Sequence, residues 1–392
     1  MGIPRSMWVC GVVATVASIS GSAQQQFQMP PLVTVRPIRP PKTPLPSETA
    51  SSGQRRFSFI AYGDTRTAVN AAVPEIEHAE VVDAMLVKIK ALASTPFPVR
   101  FVLQSGDAAY TATQGEQLNV GFSPVIEKIT REANLPYFFA VGNHDTGTFM
   151  GPAQRAIGLH NTLAAISRLI PSEGSPRRLN GYPTYAFGYG NLFAIAIDSN
   201  IPSDPLQLAW VTDQLERLDR RRYRHVIAFF HHPPFSSGPH GGVSPGPNVS
   251  ETEDNVERET AAVRTLYAPL FRRFQVRMTI AGHDHLFDHF VERYTSAGVT
   301  YRRDDLITGG GGAPTYTYRG EPEVQHYLEA GVSENVRVEH LMKPGMTPQE
   351  NPHHFVVIRV DGDRLSLEVV GTGPTTYRPY NGQSRIDLTD PS

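Results

Sequence analysis

The sequence predicts an α/β fold of two sheets packed face to face with helices outside. Three observations predict it. From Phe57 onward, short apolar runs alternate with amphipathic helical stretches, the pattern of βαβ units and a largely parallel sheet. Later runs are strand-like with few helices between them, which calls for a second, strand-rich portion. Five of the early runs end in short blocks of polar residues that all suit one edge of such a sheet.

The first group of strands is 57–62, 101–103, 137–141, 226–230 and 278–281, each short and apolar as buried parallel strands are. Between them, 74–94 places Ile76, Val82, Met85, Leu86, Ile89 and Leu92 at helical spacing. Further helices are expected at 124–133, 205–218 and 261–274. The middle one carries Leu208, Val211, Leu215 and Leu218 along one stripe. The runs 192–198, 285–294, 306–308, 355–360 and 365–370 read as strands, with a hairpin turn at Asp361-Gly362. Three stretches read as loops over one end of the molecule: 147–180 (with a helix of its own), 235–255 and 309–351. Long loops on a rigid scaffold are where substrate choice resides.

The five blocks carry the chemistry. They are Gly63-Asp64-Thr65-Arg66, Gly106-Asp107-Ala108-Ala109-Tyr110, Gly142-Asn143-His144-Asp145, His231-His232-Pro233-Pro234 and Gly282-His283-Asp284-His285. Ligands of open α/β sheets bind beyond the carboxyl ends of the strands, so the five loops converge. They bring Asp, Asn, His and Tyr together, the composition of a two-metal centre. Asp64 is a hard, anionic donor. Asp107 is the candidate bridge, since a carboxylate between two cations is shared by both. Asn143 offers an amide oxygen, and His232 and His283 offer neutral imidazoles. A turn at His283-Asp284-His285 lets the two histidines straddle ions about 3.5–4 Å apart.

In order and spacing these blocks resemble the calcineurin-like metallophosphoesterase superfamily. Gly-Asp-x-x-Tyr is similar to the purple acid phosphatase branch. The resemblance runs from Phe57 to the glycines at 309–312. It implies a four-layer α/β/β/α sandwich of two mixed sheets flanked by helices. It assigns Asp64, Asp107, Tyr110 and His285 to one metal, and Asp107, Asn143, His232 and His283 to the other. Two carboxylates and a phenolate suit Fe(III); the second set suits Zn(II), Mn(II) or Fe(II). Register on His-x-Pro favours His232 over His231, which leaves His231 as a supporting residue. Arg66 stands where most relatives have a metal-binding histidine. Arginine cannot be a ligand; it either grips a phosphate oxygen or forms a structural salt bridge. His144 occupies the substrate-facing position, with Asp145 as its orienting carboxylate. His240 is a second candidate acid or a solvated loop histidine. The glycines at 309–312 are not a phosphate loop, because no Lys-Ser/Thr follows.

Composition bounds the rest. The 392 residues carry a formal charge of −2, which gives no electrostatic case for nucleic acid as main partner. Residues 1–23 read as a signal peptide: Arg5, then an apolar stretch too short to span a bilayer, then Gly21-Ser22-Ala23. Export to a periplasmic or extracellular location follows, with no stable membrane insertion after cleavage. Cys10 is the only cysteine and lies in that segment. Residues 24–55 are rich in Pro, Ser and Thr and read as a disordered spacer. The catalytic domain is expected at 56–375 and a tail at 376–392.

The expectation is therefore an exported binuclear-metal phosphoesterase acting on small phosphate monoesters through a metal-bound hydroxide. A phosphodiesterase on the same fold is the first alternative, acting on cyclic nucleotides or glycerophosphodiesters. A non-catalytic binding protein is the second, and lost ligands would mark it.

Overall fold

In the computed structural model, which describes residues 33–148, 151–241, 256–320, 335–373 and 376–389, the first apolar run becomes an interior strand, β1 (Arg56–Tyr62). It pairs in parallel with β2 (Val99–Gln104), which pairs in parallel with β3 (Tyr137–Phe139). The second group begins with β4 (Tyr185–Tyr189), β5 (Leu192–Ala196), β6 (His225–Phe229) and β7 (Met278–Ala281). It continues with β8 (Phe287–Ser296), β9 (Val299–Thr308) and β10 (Val336–Met342). The chain then returns to the first sheet through β11 (His354–Asp361), β12 (Arg364–Gly371) and β13 (Arg385–Asp387). The sheet orders are β13-β12-β11-β1-β2-β3 and β10-β8-β9-β7-β6-β5-β4. Both sheets mix parallel and antiparallel pairs, as expected.

The sheets meet face to face through aromatic side chains. Phe138 stacks on Phe187 with centroids 3.8 Å apart, and Phe101 and Phe57 meet Phe187 and Tyr189 edge-on. Alternation along β6 shows why one strand serves two layers. Ile227 and Phe229 join the core between the sheets, whereas Val226, Ala228 and Phe230 join a second core. Leu215 of the helix Pro205–Glu216 and Phe271 of the helix Ala268–Arg273 cover that second core. On the far side, Val81, Val82 and Met85 of the helix Ile76–Leu92 cover the first sheet. The layers are thus helix, sheet, sheet, helix.

Three expectations need correction. Residues 33–55 are an ordered strap, not a disordered spacer. Val35 and Ile38 are buried, and Ile38 N–H donates to Ala165 O at 2.8 Å. Prolines have no N–H to satisfy. Other donors find partners on the domain: Arg36 N–H on Asn119, Arg39 N–H on Glu127 and Lys42 N–H on Asn134. Glu48 then accepts from Arg177 at 2.8 and 2.9 Å and from the Tyr223 hydroxyl at 2.6 Å. Low apolar content was compensated by side-chain caps from the folded domain, which composition does not reveal. Next, the proposed tail is part of the fold over 376–389, where β13 pairs with β12 and Leu388 and Tyr380 are buried. Finally, the stretch 309–351 is not all loop, since β10 adds an edge strand beside β8. The proposed signal peptide lies outside the described residues. Among the described residues no helix is long and apolar enough to cross a membrane.

Candidate metal centre

Two of the five blocks directly follow a strand's carboxyl end, two follow after one intervening residue, and the block at Gly142 follows β3 by three residues. Glycines make the convergence possible. A Cβ at Gly142 would sit 2.1 Å from Asp107 Oδ1, and one at Gly282 2.1 Å from Asp64 Oδ2. The glycine positions therefore leave the volume that the carboxylates occupy. Backbone bonds lock the loops together: Asp64 N–H donates to Gly106 O, Thr65 N–H to Asp107 O and Gly282 N–H to His231 O. Asp145 completes the lock. Its carboxylate accepts from the backbone N–H of Asp107, Gly142 and Ala108 at 2.7–2.8 Å. It holds the Asp107 and Asn143 loops together.

Two donor sets emerge. Asp64, Asp107 and His285 form the first, buried throughout. His285 Nε2 lies 3.5 Å from Asp64 Oδ1, and its Nδ1–H donates to Pro314 O. The second set forms around His231 Nε2, which is 2.9 Å from Asn143 Oδ1, 3.3 Å from Asp107 Oδ1 and 3.1 Å from His283 Nδ1. Donors about 2.1 Å from one ion, at angles near 90–109°, stand about 3.0–3.4 Å apart. The observed separations fit a cation at that point. Asp107 belongs to the first set and also meets the second: Oδ1 lies by His231, and Oδ2 faces Arg66 and His144.

Both adjacent histidines border possible donors: His232 groups with Glu257 and His283, while His231 joins the second set. His231, not His232, meets Asn143 and Asp107. His231 Nδ1–H donates to Ser105 O, which leaves Nε2 as the donor atom for an ion. His232 Nδ1 instead pairs with Ser199 Oγ at 2.9 Å. Ser199 also accepts the N–H of both histidines, so it sets this turn.

Tyr110 borders the centre through its ring. Its ring lies 5.6 Å from the Arg66 guanidinium carbon and edge-on to His144. The aromatic ring stacked on His285 is Tyr316, with centroids 4.1 Å apart.

Electrostatics favour cations here. Burial and then the nearby Asp107 push the Asp64 carboxyl well above the usual range. A cation between the two would reverse that. Burial pushes His231 and His283 down to about 4, so both are neutral at neutral pH, as metal ligands must be. Arg66 stands over the first set, Nε 3.7 Å from Asp107 Oδ2. That buried nitrogen has no hydrogen-bond partner among the described residues. His144 Nδ1–H donates to Tyr110 O, which turns Nε2 toward Asp107 Oδ2 at 3.9 Å. His240 is not solvated as a free loop residue: its Nδ1 pairs with Glu257 at 2.6 Å. Asp284 accepts from Ser236 and the His240 N–H, tying that loop to the His283–His285 turn.

The calcineurin-like phosphoesterase family model matches residues 78–287, a span holding Asp107, Asn143, His231, His283 and His285. A purple acid phosphatase from yellow lupin (Lupinus luteus) seeds shares the fold with a TM-score of 0.52 at 16% identity. The match covers 88% of this chain and 55% of that one, so the chain spans about half its length. GAP50, the anchor in the inner membrane complex of Plasmodium, gives 0.50 at 12% identity, covering 85% and 88%. No curated protein sequence matches.

Proposed function

The chain belongs to the calcineurin-like phosphoesterase family, and from that premise we propose that it is an exported hydrolase of small phosphate monoesters. The observation that carries the monoester reading is Arg66. Its unpartnered Nε and the His144 imidazole both face the same oxygen of Asp107. A monoester dianion brings one more negative charge than a diester, and a guanidinium can take two of its oxygens in parallel bonds. Two cations held by the donor sets supply an activated water and polarise the phosphoryl oxygens. The chain's own residues do the remainder. Asp107 holds both sets in register, Arg66 orients the phosphoryl group, and His144 Nε2 is placed to protonate the departing alkoxide.

The first set offers two carboxylates and an imidazole, and the second one shared carboxylate, an amide and two imidazoles. Asp64, Asp107 and His285 by themselves do not demand Fe(III). A pair of divalent ions, drawn from Zn(II), Mn(II) and Fe(II), is the reading the donors support.

A phosphodiesterase on the same fold is the alternative reading. The deciding experiment is a metal-reconstituted screen of p-nitrophenyl phosphate, its bis-ester and cyclic nucleotides across pH, on wild type and Arg66→Ala. The monoester is expected to be preferred, and Arg66→Ala to lose that preference. Faster turnover of diesters by the wild type would overturn the proposal.

A further inference from the structure

The ring of His283 uses both of its nitrogens. Nδ1 points into the second donor set, 3.1 Å from His231 Nε2. Nε2 points the other way and lies 2.5 Å from Glu257 Oε2. The other oxygen, Glu257 Oε1, lies 2.6 Å from His240 Nδ1. One carboxylate therefore holds two imidazoles, and their rings lie against each other with centroids 4.1 Å apart. Glu257 belongs to none of the five blocks; it immediately precedes the helix Arg258–Ala262.

A neutral imidazole carries one proton. If it sits on Nδ1, His283 has no lone pair for an ion in the second set. If it sits on Nε2, Nδ1 is the free donor. A carboxylate on Nε2 selects the second form, fixes the ring plane and raises the basicity of Nδ1. His283 needs such support because its backbone is in the left-handed region, with φ 72°. A β-carbon is strained there, so the side-chain direction depends on outside contacts.

We propose that Glu257 is a positioning residue for the second cation: it fixes His283 as the Nε2–H tautomer and ties His240 to the same carboxylate. The inference rests on the two-ion reading above. It explains why a glutamate outside every motif sits at hydrogen-bond distance from a metal-binding turn.

Metal binding, with no substrate present, tests it. Zn²⁺ is titrated against a competing chelator, and bound metal is counted by mass spectrometry. Wild type is expected to hold two ions per chain. Glu257→Ala should weaken one of them about 10–100-fold and leave the other unchanged, the usual effect of removing a carboxylate behind a histidine ligand. A purely structural residue would lower thermal stability without this selective loss. Unchanged affinity for both ions would overturn the proposal. So would a third ion in the wild type that Glu257→Ala alone abolishes, because Glu257 would then be a ligand itself. Nitrogen-15 NMR of the wild-type histidines provides a second measurement, with His283 assigned from His283→Asn. The proton is expected on Nε2; a proton on Nδ1 would overturn the assignment. Both readouts are independent of turnover, so failure to hydrolyse any ester would sink the functional proposal and leave this one standing.

Discussion

Replacing His231 and His232 in turn gives the sharpest test of the centre. The two are neighbours in sequence, yet only His231 Nε2 stands 2.9–3.3 Å from three other donors. Four-ligand zinc sites bind with about 10–16 kcal/mol, or roughly 2.5–4 kcal/mol per donor. His231→Ala should therefore weaken the second ion by roughly 10²–10³-fold, at about 1.4 kcal/mol per factor of ten. His232→Ala removes one bond to Ser199 Oγ, whose oxygen keeps the N–H of residue 231. A single hydrogen bond contributes about 0.5–1.5 kcal/mol, so the loss there should stay near tenfold or less. Chelator competition with Zn²⁺ measures both, and near-UV circular dichroism checks the fold. If His232→Ala loses the ion while His231→Ala keeps it, the geometric assignment is wrong.

Other expectations follow from the same contacts. Asp107→Ala should lose both ions and nearly all turnover, with an intact far-UV spectrum; metal analysis showing two retained ions would remove the bridge. Glu48→Ala cuts three hydrogen bonds between the strap and Arg177 and Tyr223. Charge-assisted bonds contribute about 1.5–3 kcal/mol each when shielded. Partial exposure reduces that, and a total loss of about 2–3 kcal/mol in urea unfolding is expected; an unchanged midpoint would mean the strap is dispensable. Acid should destabilise the fold. Burial pushes His78 down to about 3 and His225 and His354 down to about 4. Their unfolded value is near 6.5, so the unfolded chain binds protons first as pH falls. Stability is full above about pH 6.5 and is lost toward pH 4, at up to about 1.4 kcal/mol per pH unit for each group. Thermal scans between pH 7.5 and 4.5 read this, and a flat profile would contradict it.

The strand-end blocks were legible because each joins an apolar run to a donor, four of them through a glycine, and the fold sends all such ends to one edge. The choice between His231 and His232 was not. β6 is buried on both faces, with Ile227 and Phe229 on one and Val226, Ala228 and Phe230 on the other. A strand that is apolar on both faces gives no hint of which parity meets the other sheet. The parity of 227 and 229 continues to 231, but only the packed sheets reveal that this side faces the donors. Tyr110 has a neighbour that its motif does not announce. Its spacing from Asp107 matched a motif, while Arg66, two residues after Asp64, brings a bulky cation that meets its ring. Glu257 was invisible because it reaches His283 from across 26 residues of sequence with no motif around it. The strap was misread because composition counts apolar residues and does not count partners waiting on the domain.

Three donors of the centre, Asp64, Asp107 and His283, have φ of 59°, 60° and 72°, values that L side chains rarely adopt. Each follows a glycine whose missing Cβ gives room to a facing loop. Such strain costs of order 1 kcal/mol per residue and persists where the surroundings hold it for function. Charge adds to it at Asp64, whose carboxyl is pushed up by burial and by Asp107. A group with its folded pKa raised above the unfolded value opposes folding wherever the unfolded chain is ionised, here above about pH 4. Without cations the centre should therefore weaken the fold. Asp64→Asn keeps the size, tolerates positive φ and retains an oxygen to accept the His283 N–H, now at 2.9 Å. It removes one of two facing buried charges. The metal-free variant should be more stable than metal-free wild type by about 1–2 kcal/mol at pH 7. With cations present the order should reverse, because the wild type gains more binding energy from its charged ligand. Thermal unfolding of both proteins, with chelator and with Zn²⁺, measures the crossing. A metal-free Asp64→Asn protein less stable than the wild type would show that Asp64 is held for the fold rather than for the ion.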